Sequence, residues 1–377
     1  MKNIELCAVC QVPLLVSREL QWESNGVISL TSSPLNRMIS FEADALDEIF
    51  KGIEKLIGMP IGHLVVESRS RETRRYIERI LPPEARKALE GRGGKEESEA
   101  ERLTPEGKRA LFATMRSLVL NLMDIGIVYG YGAPALGDLW GNGVSYPWRV
   151  QVVRNPYSLL FTAADNLGSA EAIEGAEMQV RYVRIGKDTY KTEVYPGKHP
   201  VELKEKLRRR HRYDFKPGNI AYERCPGCGI PQAIARRSWD IDAGTITDPD
   251  TKRRLALFGP YAVDSIFDDL QEELGDAIPE TVIEATRRYI KVAWDVEEWN
   301  RDGLNFQQLA GISGLGNLVH FHGDRNHLDI VIENACFHLP MVGTVQALVE
   351  LAYRVKSSSV EWELAEDGDL SLIIKVR

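Results

Sequence analysis

"CAVCQVP" (Cys7–Pro13) and "CPGCGIP" (Cys225–Pro231) are two versions of one motif, 218 residues apart in a chain of 377. In both, a C-x-x-C pair precedes an aliphatic residue and a proline. One C-x-x-C pair supplies only two of the four ligands of a tetrahedral metal site. Either each pair finds further ligands nearby, or the two pairs complete one site. The repetition also raises the question of whether the whole chain is repeated.

The sequence around the two motifs recurs in the same order. Later matches are "DEIF" (Asp47–Phe50) with "DSIF" (Asp264–Phe267), and "ETRRYI" (Glu72–Ile77) with "ATRRYI" (Ala285–Ile290). At the ends, "MQVRYVRIGKDTYKTEV" (Met178–Val194) aligns without gaps on "VEWELAEDGDLSLIIKV" (Val360–Val376). We interpret the chain as an internal duplication, with repeat 1 at 1–194, a linker at 195–219 and repeat 2 at 220–377. Repeat 1 is longer because of a polar, charged insertion at about 85–110, which we expect to be solvated.

The hydrophobic pattern of one repeat predicts an α+β fold. "ADALDEIFKGIEKLIG" has apolar residues at helical spacing and ends at Gly58, and further helices are predicted over Arg74–Ile80 and over 110–126. "WRVQVV" (Trp148–Val153) and "LDIVI" (Leu328–Ile332) indicate strands. Each repeat should close with a hairpin that turns at Gly186 or Gly368. We therefore expect a mostly antiparallel sheet with packed helices in each repeat, with a C-x-x-C knuckle at its start.

Two stretches of repeat 2, with shorter echoes in repeat 1, carry a family resemblance. "VDSIFDDLQEELGDAI" (Val263–Ile278) and "VGTVQALVELAYRVKSSSVEWELAEDGDLSLIIKV" (Val342–Val376) resemble the 4-vinyl reductase domain, and the likeness covers about half of each repeat. The resemblance implies a compact α/β pocket for a small, often apolar ligand. That family often has cysteines in the terminal hairpin, and this sequence has none there, so a metal site at that place is not carried over.

Four of the five cysteines form the two C-x-x-C pairs. We predict that Cys7, Cys10, Cys225 and Cys228 bind one structural zinc ion, because four thiolates suit tetrahedral Zn²⁺ and leave no open position. Iron suits the same ligands, but zinc needs no redox partner. Two separate sites, or unligated thiol pairs, remain as alternatives. Cys336 stands alone and is expected to be a small core residue.

Four of the seven histidines, His320, His322, His327 and His338, lie in "HFHGDRNHLDIVIENACFH". Histidines two apart on a strand point to one face. With His327 or Asp324 they form a possible second metal site; a ligand pocket and a polar turn with exposed histidines are the other interpretations. Repeat 1 has no histidine at this place, so this chemistry would belong to repeat 2 alone.

Repeat 1 instead contains "VYGYGAPALGDLWGNGVSYPW" (Val128–Trp148), which combines glycines with aromatic residues. The segment indicates a pocket wall formed by Tyr129, Tyr131, Trp140 and Trp148, to which His338 is added as a further candidate. An irregular loop packed by its own aromatic rings is an equal alternative. Its glycine spacing fits neither a phosphate loop nor a dinucleotide fingerprint.

Composition narrows the function classes. A net charge of −8 argues against a general nucleic-acid binder, and "RRRHR" (Arg208–Arg212) is interpreted as solvated linker charge. We find no signal peptide and expect no membrane span. Cysteines spaced for metal in an otherwise ordinary chain fit a reducing compartment, so a cytoplasmic protein is expected.

These observations lead to a main functional hypothesis and two alternatives. The first is a metal-stapled binding or sensor protein for a small apolar or aromatic molecule that acts through a partner protein. The second is a metal-dependent enzyme or enzyme subunit that uses the histidines of repeat 2. The third is a structural factor in which the fused repeats imitate a homodimer. A cavity beside the aromatic segment would favour the first, and an open metal site at the histidines the second.

Overall fold

The computed structural model describes residues 4–82, 85, 104–134, 146–200, 213–294, 304–324 and 326–376. The helices are α1 (Leu14–Glu19), α2 (Ala43–Ile57), α3 (Gly62–Ile80), α4 (Pro105–Val128), α5 (Leu159–Glu174), α6 (Gln232–Ala235), α7 (Pro260–Leu274), α8 (Ile278–Ala293), α9 (Leu304–Ile312) and α10 (His338–Tyr353), with a short 3₁₀ helix at Pro147–Arg149. The strands are β1 (Leu20–Trp22), β2 (Ile28–Leu30), β3 (Ser33–Glu42), β4 (Ala133–Pro134), β5 (Val150–Arg154), β6 (Met178–Gly186), β7 (Thr189–Pro196), β8 (Ser238–Asp240), β9 (Thr245–Thr247), β10 (Arg254–Phe258), β11 (Asn317–Gly323), β12 (His327–Glu333), β13 (Ser358–Leu364) and β14 (Leu370–Val376).

The chain divides into two compact units. Unit 1 comprises Met1–Ile4, Ile61–Leu207 and Trp239–Ile246, and unit 2 comprises Glu5–Pro60, Arg208–Ser238 and Thr247–Arg377. Residues 5–60, which the sequence assigns to repeat 1, thus lie in unit 2. The repeat boundaries themselves concern the origin of the sequence and stay a prediction.

Both units are mixtures of helices and antiparallel strands, so the predicted α+β class is confirmed. Unit 1 contains a four-stranded sheet in the order β4-β5-β7-β6, and unit 2 contains one in the order β11-β12-β14-β13. In unit 2, β1, β2, β3 and β10 also lie side by side, and the β3–β10 register pairs Ser40 with Leu257. The predicted hairpins are the β6–β7 and β13–β14 pairs, and Gly186 and Gly368 lie at their turns.

Each four-stranded sheet belongs to a unit that contains a closely packed helix pair. In unit 1, α5 crosses α3 at Gly168, where a Cβ atom would lie 2.2 Å from the Ser70 carbonyl oxygen. In unit 2, α10 crosses α8 at Gly343, where a Cβ atom would lie 2.4 Å from the Ile283 carbonyl oxygen. Every residue of α10 from Leu339 to Glu350 is buried, so this helix is central to the core of unit 2.

Local sequence signals set the ends of several helices. The αL conformation of Gly58 ends α2 as the pattern predicted, because glycine takes a positive φ at little cost. Thr104 caps α4 with its hydroxyl, which accepts the Gly107 N–H, and proline occupies the first turn. Residues 105–110, placed in the polar insertion by sequence, therefore form the first turns of α4. The rest of that insertion, apart from Ala85 and Thr104, and the "RRRHR" stretch lie outside the described residues.

By length and composition alone, α4 could cross a membrane. It is the one such helix found in the described part of the chain, its most apolar window has a mean hydropathy of 1.5, and 22% of that window is buried. These are criteria of length and composition only, so the sequence expectation of no membrane span stays a prediction.

Candidate functional site

The two C-x-x-C motifs, both in unit 2, form the same backbone turn. At the first, the Cys7 N–H donates to the Val12 carbonyl at 2.9 Å and the Gln11 N–H donates to the Cys7 carbonyl at 2.9 Å. At the second, the Cys225 N–H donates to the Ile230 carbonyl at 2.8 Å and the Gly229 N–H donates to the Cys225 carbonyl at 2.9 Å. The two motifs, far apart in the sequence, thus have the same pattern of backbone hydrogen bonds.

Both turns require a left-handed residue after the second cysteine. Gln11 has φ 63° and Gly229 has φ 76°. Glycine is the usual residue at such a position, since a Cβ atom crowds the left-handed backbone. A Cβ atom built at Gly229 meets no atom within 4 Å, so a larger residue has room beyond its own backbone. The glutamine of the first turn is compatible with the same geometry for this reason, and its amide also donates to the Cys7 carbonyl at 3.1 Å.

The four thiol sulfurs form one cluster. The Cys7 and Cys225 sulfurs are 3.9 Å apart, the Cys10 and Cys228 sulfurs are 3.6 Å apart, and all four lie within 4.8 Å of one another. A tetrahedral zinc–thiolate site with bonds of about 2.3 Å has sulfur–sulfur edges of about 3.8 Å. The cluster therefore has the size and the donor set of a four-thiolate metal site, as the sequence predicted.

The surroundings divide the cysteines into an inner and an outer pair. Cys7 and Cys225 are buried, and their thiolates accept backbone N–H groups of their own turns. The N–H groups of Cys10 and Val9 lower the pKa of Cys7 to about 7, and those of Cys228 and Gly227 lower the pKa of Cys225. Burial instead raises the pKa of Cys10 and Cys228. Two thiolates are thus stabilised by the backbone, and a bound cation would stabilise the other two.

The turns fit together closely on the cysteine side. A Cβ atom at Gly227 would lie 3.0 Å from the Cys7 sulfur and 2.8 Å from a methyl carbon of Val9. The second turn therefore has glycine where the first has Val9, and this difference between the motifs gives the valine its space. Cys336 takes no part in the cluster: it is buried elsewhere, and burial raises the pKa of its thiol to about 12.

The histidines of repeat 2 share a surface but are not gathered into a metal site. The register pairs His320 with Val331 and His322 with Asp329, so both imidazoles lie on the sheet face that also carries His327. The two rings are 6.2 Å apart, and the His327 Nε2 lies 3.3 Å from an Asp329 carboxylate oxygen. All three histidines are exposed. Within the described residues, the four cysteines are the one group of potential metal ligands within mutual reach.

The other two residues proposed with these histidines have local roles. The Asp324 carboxylate accepts the N–H groups of Asn326 and His327 and so closes the β11–β12 turn. His338 begins α10, and its ring lies 5.7 Å from that of Trp362. The interpretation as a polar turn with exposed histidines agrees best with this arrangement.

The aromatic residues proposed for repeat 1 form two packed groups in unit 1. Tyr131 stacks on Tyr157 at 4.3 Å and meets Tyr129 edge to face at 6.2 Å. Trp148 is buried in the core, where its indole N–H donates to a Glu174 carboxylate oxygen at 2.9 Å. Trp140 lies outside the described residues. Tyr129, Tyr131 and Trp148 therefore agree with the alternative of a segment packed by its own aromatic rings. His338, the further candidate for the pocket wall, belongs to unit 2.

A surface cleft of about 470 Å³ lies beside this core in unit 1. Its floor follows one row of the sheet, since the register places Val150, Glu193 and Arg181 side by side on β5, β7 and β6. The remaining lining residues are Tyr146, Arg149, Val194 and Tyr195. Of these, only Tyr146 belongs to the aromatic segment singled out in the sequence. The volume is within the usual range for small-molecule sites, about 300–1,000 Å³.

The cations of the cleft are already paired. The Arg149 guanidinium lies 3.9 Å above the Tyr146 ring and makes a two-pronged ion pair with the fully buried carboxylate of Glu174. Arg181 donates to Glu193 at 2.7 Å. A ligand in this cleft would thus meet two tyrosine rings, aliphatic groups and cations whose charge is balanced.

A second polar group of unit 1 was missed from sequence. His199, assigned to the linker, places its two ring nitrogens 2.5 Å from a Glu67 oxygen and 2.6 Å from a Glu171 oxygen. Both carboxylates are buried, and the hydrogen bonds that they accept, that of Glu171 first, raise the pKa of His199 to about 10. The available signal was Glu67, a glutamate that directly follows the apolar residues Leu64, Val65 and Val66 of α3.

Comparisons with known proteins identify no family for this chain. No protein-family model and no curated protein matches it. Similar solved structures include a "Cs H-NOX mutant with unnatural amino acid 4-cyano-L-phenylalanine at site 5", at 16% identity over 33% of this chain and 77% of that chain, with a TM-score of 0.25. A structure described as "Probing the function of heme distortion in the H-NOX family" matches at 16% identity over 31% of this chain and 71% of that chain, with a TM-score of 0.23. Such TM-scores do not define a common fold, and the resemblance to the 4-vinyl reductase domain stays a prediction.

Proposed function

We propose that this chain is a metal-stapled binding protein for a small apolar or aromatic molecule, and that it acts through a partner protein. The observation that carries the proposal is the cluster of four thiol sulfurs, all within 4.8 Å of one another, on two equivalent turns. The ligand would bind in the cleft of unit 1, and the metal would hold together the elements of unit 2 that contribute the cysteines.

Zinc is the proposed metal. Cys7, Cys10, Cys225 and Cys228 would be its ligands, and a site with four protein ligands has no position left for substrate. Bound zinc would supply stability, since it joins two turns that lie far apart in the chain. Thiolates of this kind persist in a reducing compartment, which supports a cytoplasmic protein.

We infer that the chain arose by duplication, and two glycine contacts support this. In unit 2 the Gly316 N–H donates to the Gly26 carbonyl at 3.1 Å, and a Cβ atom at Gly26 would lie 2.2 Å from the Gly316 carbonyl oxygen. In unit 1 the Gly132 N–H donates to the Gly244 carbonyl at 2.9 Å, and a Cβ atom at Gly244 would lie 2.1 Å from the Gly132 carbonyl oxygen. Each contact joins the first part of one predicted repeat to the second part of the other.

The same exchange accounts for the composition of the two units. If the early segment of each repeat packs on the later segment of the other, residues 5–60 should lie in unit 2, as they do, and part of the early segment of repeat 2 should lie in unit 1. The identical strand orders β4-β5-β7-β6 and β11-β12-β14-β13 agree with such an origin. A segment-exchanged pair of identical subunits, later fused, would bring two copies of one cysteine turn to one place.

The cleft favours a neutral ligand. Arg149 is paired with the buried Glu174, so an anion would have to displace a buried carboxylate before it gained that cation, and the charge of Arg181 is balanced by Glu193. Tyr146 and Tyr195 instead offer ring surface, and Val150 and Val194 offer aliphatic surface. A small aromatic molecule would bury both kinds of surface. In the described residues no open metal site forms at the histidines, and the enzyme alternative gains no support there.

Elemental analysis of the purified chain tests the metal. We expect one zinc per chain, and loss of it in both Cys7→Ser and Cys225→Ser, because each variant removes one of four ligands. Cys336→Ser, at a cysteine outside the cluster, is the matched control and should keep its zinc. X-ray absorption should show four sulfurs at about 2.3 Å from the metal. A chain without metal, or one that keeps its metal in either cluster variant, would contradict the shared site.

Ligand-observed NMR with phenol and indole as neutral probes tests the cleft. We expect saturation transfer from the protein to both probes, reduced at least several-fold in Tyr146→Ala. Tyr182→Ala removes an exposed ring that does not line the cleft and serves as the control. Equal transfer in the wild type and Tyr146→Ala would place binding elsewhere.

A further inference from the structure

The two four-stranded sheets end in strands of opposite charge. β6 is the last strand of the unit 1 sheet, and β13 is the last strand of the unit 2 sheet, within the residues that the structure describes. An edge strand has one row of backbone N–H and C=O groups directed away from its sheet, and such a row can pair with another strand.

The β6 edge is basic and apolar. Arg181 and Arg184 expose 68% and 59% of their side chains. Between and beyond them Val183 and Ile185 are 51% and 54% exposed, which is high for branched aliphatic residues. Lys187 follows at the turn. Charged residues on an edge strand protect it from unwanted pairing, but that role does not explain why two aliphatic side chains are exposed beside them.

The β13 edge is acidic. Glu361 and Glu363 are exposed and alternate with Val360, Trp362 and Leu364, so both carboxylates lie on one face of the strand. Glu366 and Asp367 extend the negative charge into the following turn. The edges at corresponding ends of the two sheets therefore differ in sign.

Most charges of the two edges already form ion pairs, and the Asp367 carboxylate accepts a hydrogen bond from Lys216 at 2.7 Å. Arg181 pairs with Glu193, Arg184 lies 3.8 Å from Asp188, and Glu361 pairs with Lys375 at 2.6 Å. Exposed ion pairs of this kind contribute little, about 0–1 kcal/mol, so they can be exchanged for others at small cost.

We propose that β6 of one molecule pairs with β13 of a second copy of this chain. Opposite charges facing each other across two strands are favourable, and like charges are unfavourable. Arg181 and Arg184 lie on opposite faces of β6, so one arginine at a time shares a face with the two carboxylates of β13. Pairing of β6 with β6, or of β13 with β13, is therefore opposed, while pairing of β6 with β13 is favoured. Because the two edges are different surfaces, the contact is head to tail and yields rings or open chains.

Sedimentation velocity over a concentration series tests this with the full chain. We expect species heavier than the 42.4 kDa monomer at low salt, and their loss in about 1 M salt, where the Debye length is about 3 Å. Arg181→Glu/Arg184→Glu and Glu361→Arg/Glu363→Arg should each weaken self-association at least ten-fold. Mixing the two variants should restore association, because each supplies the edge that the other requires.

Arg18→Glu/Lys51→Glu is the matched control, since it changes the net charge as much as the first variant at two exposed positions away from both edges. It should associate like the wild type. Circular dichroism should show all variants folded. The proposal would be overturned if the chain were a monomer at every concentration, if the control weakened association equally, or if the mixed variants remained monomeric. The first of these results is also the one expected if β6 binds an unrelated acidic partner instead of a second copy.

Discussion

Because of His199, the stability of unit 1 should depend on pH, and the single substitution His199→Gln isolates this contribution. Its imidazole bridges Glu67 and Glu171, which expose 3% and 2% of their side chains. Both ring nitrogens face carboxylates, so both must carry a proton, and the ring is a cation. Replacing the ring by the neutral amide in His199→Gln leaves two buried carboxylates without the cation between them.

The expected loss of folding stability in His199→Gln follows from the raised pKa of His199 and from the burial of Glu67 and Glu171. The pKa of His199 rises from 6.5 to about 10, chiefly through its hydrogen bond to Glu171. At about 1.4 kcal/mol for each pH unit between these values, the interaction stabilises the folded state by roughly 4–5 kcal/mol. Removal of one partner from a buried ion pair costs about 3–5 kcal/mol, which agrees. Arg71 and Arg74 lie 3.2 Å and 3.9 Å from the carboxylates and will compensate in part, so we expect about 3 kcal/mol.

The sign of the pH dependence is fixed by the direction of the shift. A group whose pKa is raised by folding stabilises the protein fully below its unfolded pKa, here 6.5, and the stabilisation is lost as the pH rises through about 10. Urea unfolding should therefore separate the wild type and His199→Gln most at about pH 6. The separation should shrink steadily and fall below about 1 kcal/mol near pH 10.5.

His63 provides the control, since it lies exposed on α3, the helix that also carries Glu67. His63→Gln should change the free energy of unfolding by no more than about 0.5 kcal/mol. In NMR titrations of the wild type, the pKa of the His199 ring should be found near 10. A separation between wild type and His199→Gln that stays the same from about pH 6 to about pH 10.5 would refute the charged bridge.

Other substitutions test the close contacts and the second buried carboxylate. Gly26→Ala should lower the free energy of unfolding by more than about 2 kcal/mol, since φ is +75° and the new Cβ would lie 2.2 Å from a carbonyl oxygen. Gly229→Ala has a similar φ but open space around the new Cβ, so it should cost only about 1–2 kcal/mol. Thermal unfolding measures both. Equal costs for the two would contradict the close approach. Glu174→Gln should cost about 3–5 kcal/mol in urea unfolding, because it leaves Arg149 without its buried partner and weakens the Trp148 hydrogen bond. A loss below about 1 kcal/mol would show that the pair is not desolvated.

Much of the candidate metal centre could be predicted from the sequence. C-x-x-C spacing, with a residue able to take positive φ after the second cysteine, is a local property that each turn has on its own. The step from two half-sites to one site needed the repetition of the motif, since each pair supplies only two of the four ligands of a tetrahedral site. Helix α2 and the hairpins at Gly186 and Gly368 were likewise predicted, because periodicity and turn glycines act within a few residues.

Only the tertiary structure decided the remaining features. The bridge of His199 to Glu67 and Glu171 joins residues 132 and 28 positions apart, and nothing in the sequence next to His199 indicates its partners. The cleft is formed from a row across three strands, so it depends on a register that the order of residues does not display. The histidines of repeat 2 were correctly placed on one strand face, whereas their exposure follows from packing. The sequence by itself therefore determined the chemistry that neighbouring residues can specify, and the tertiary structure decided which distant charges and surfaces meet, because those contacts depend on how the helices and strands pack.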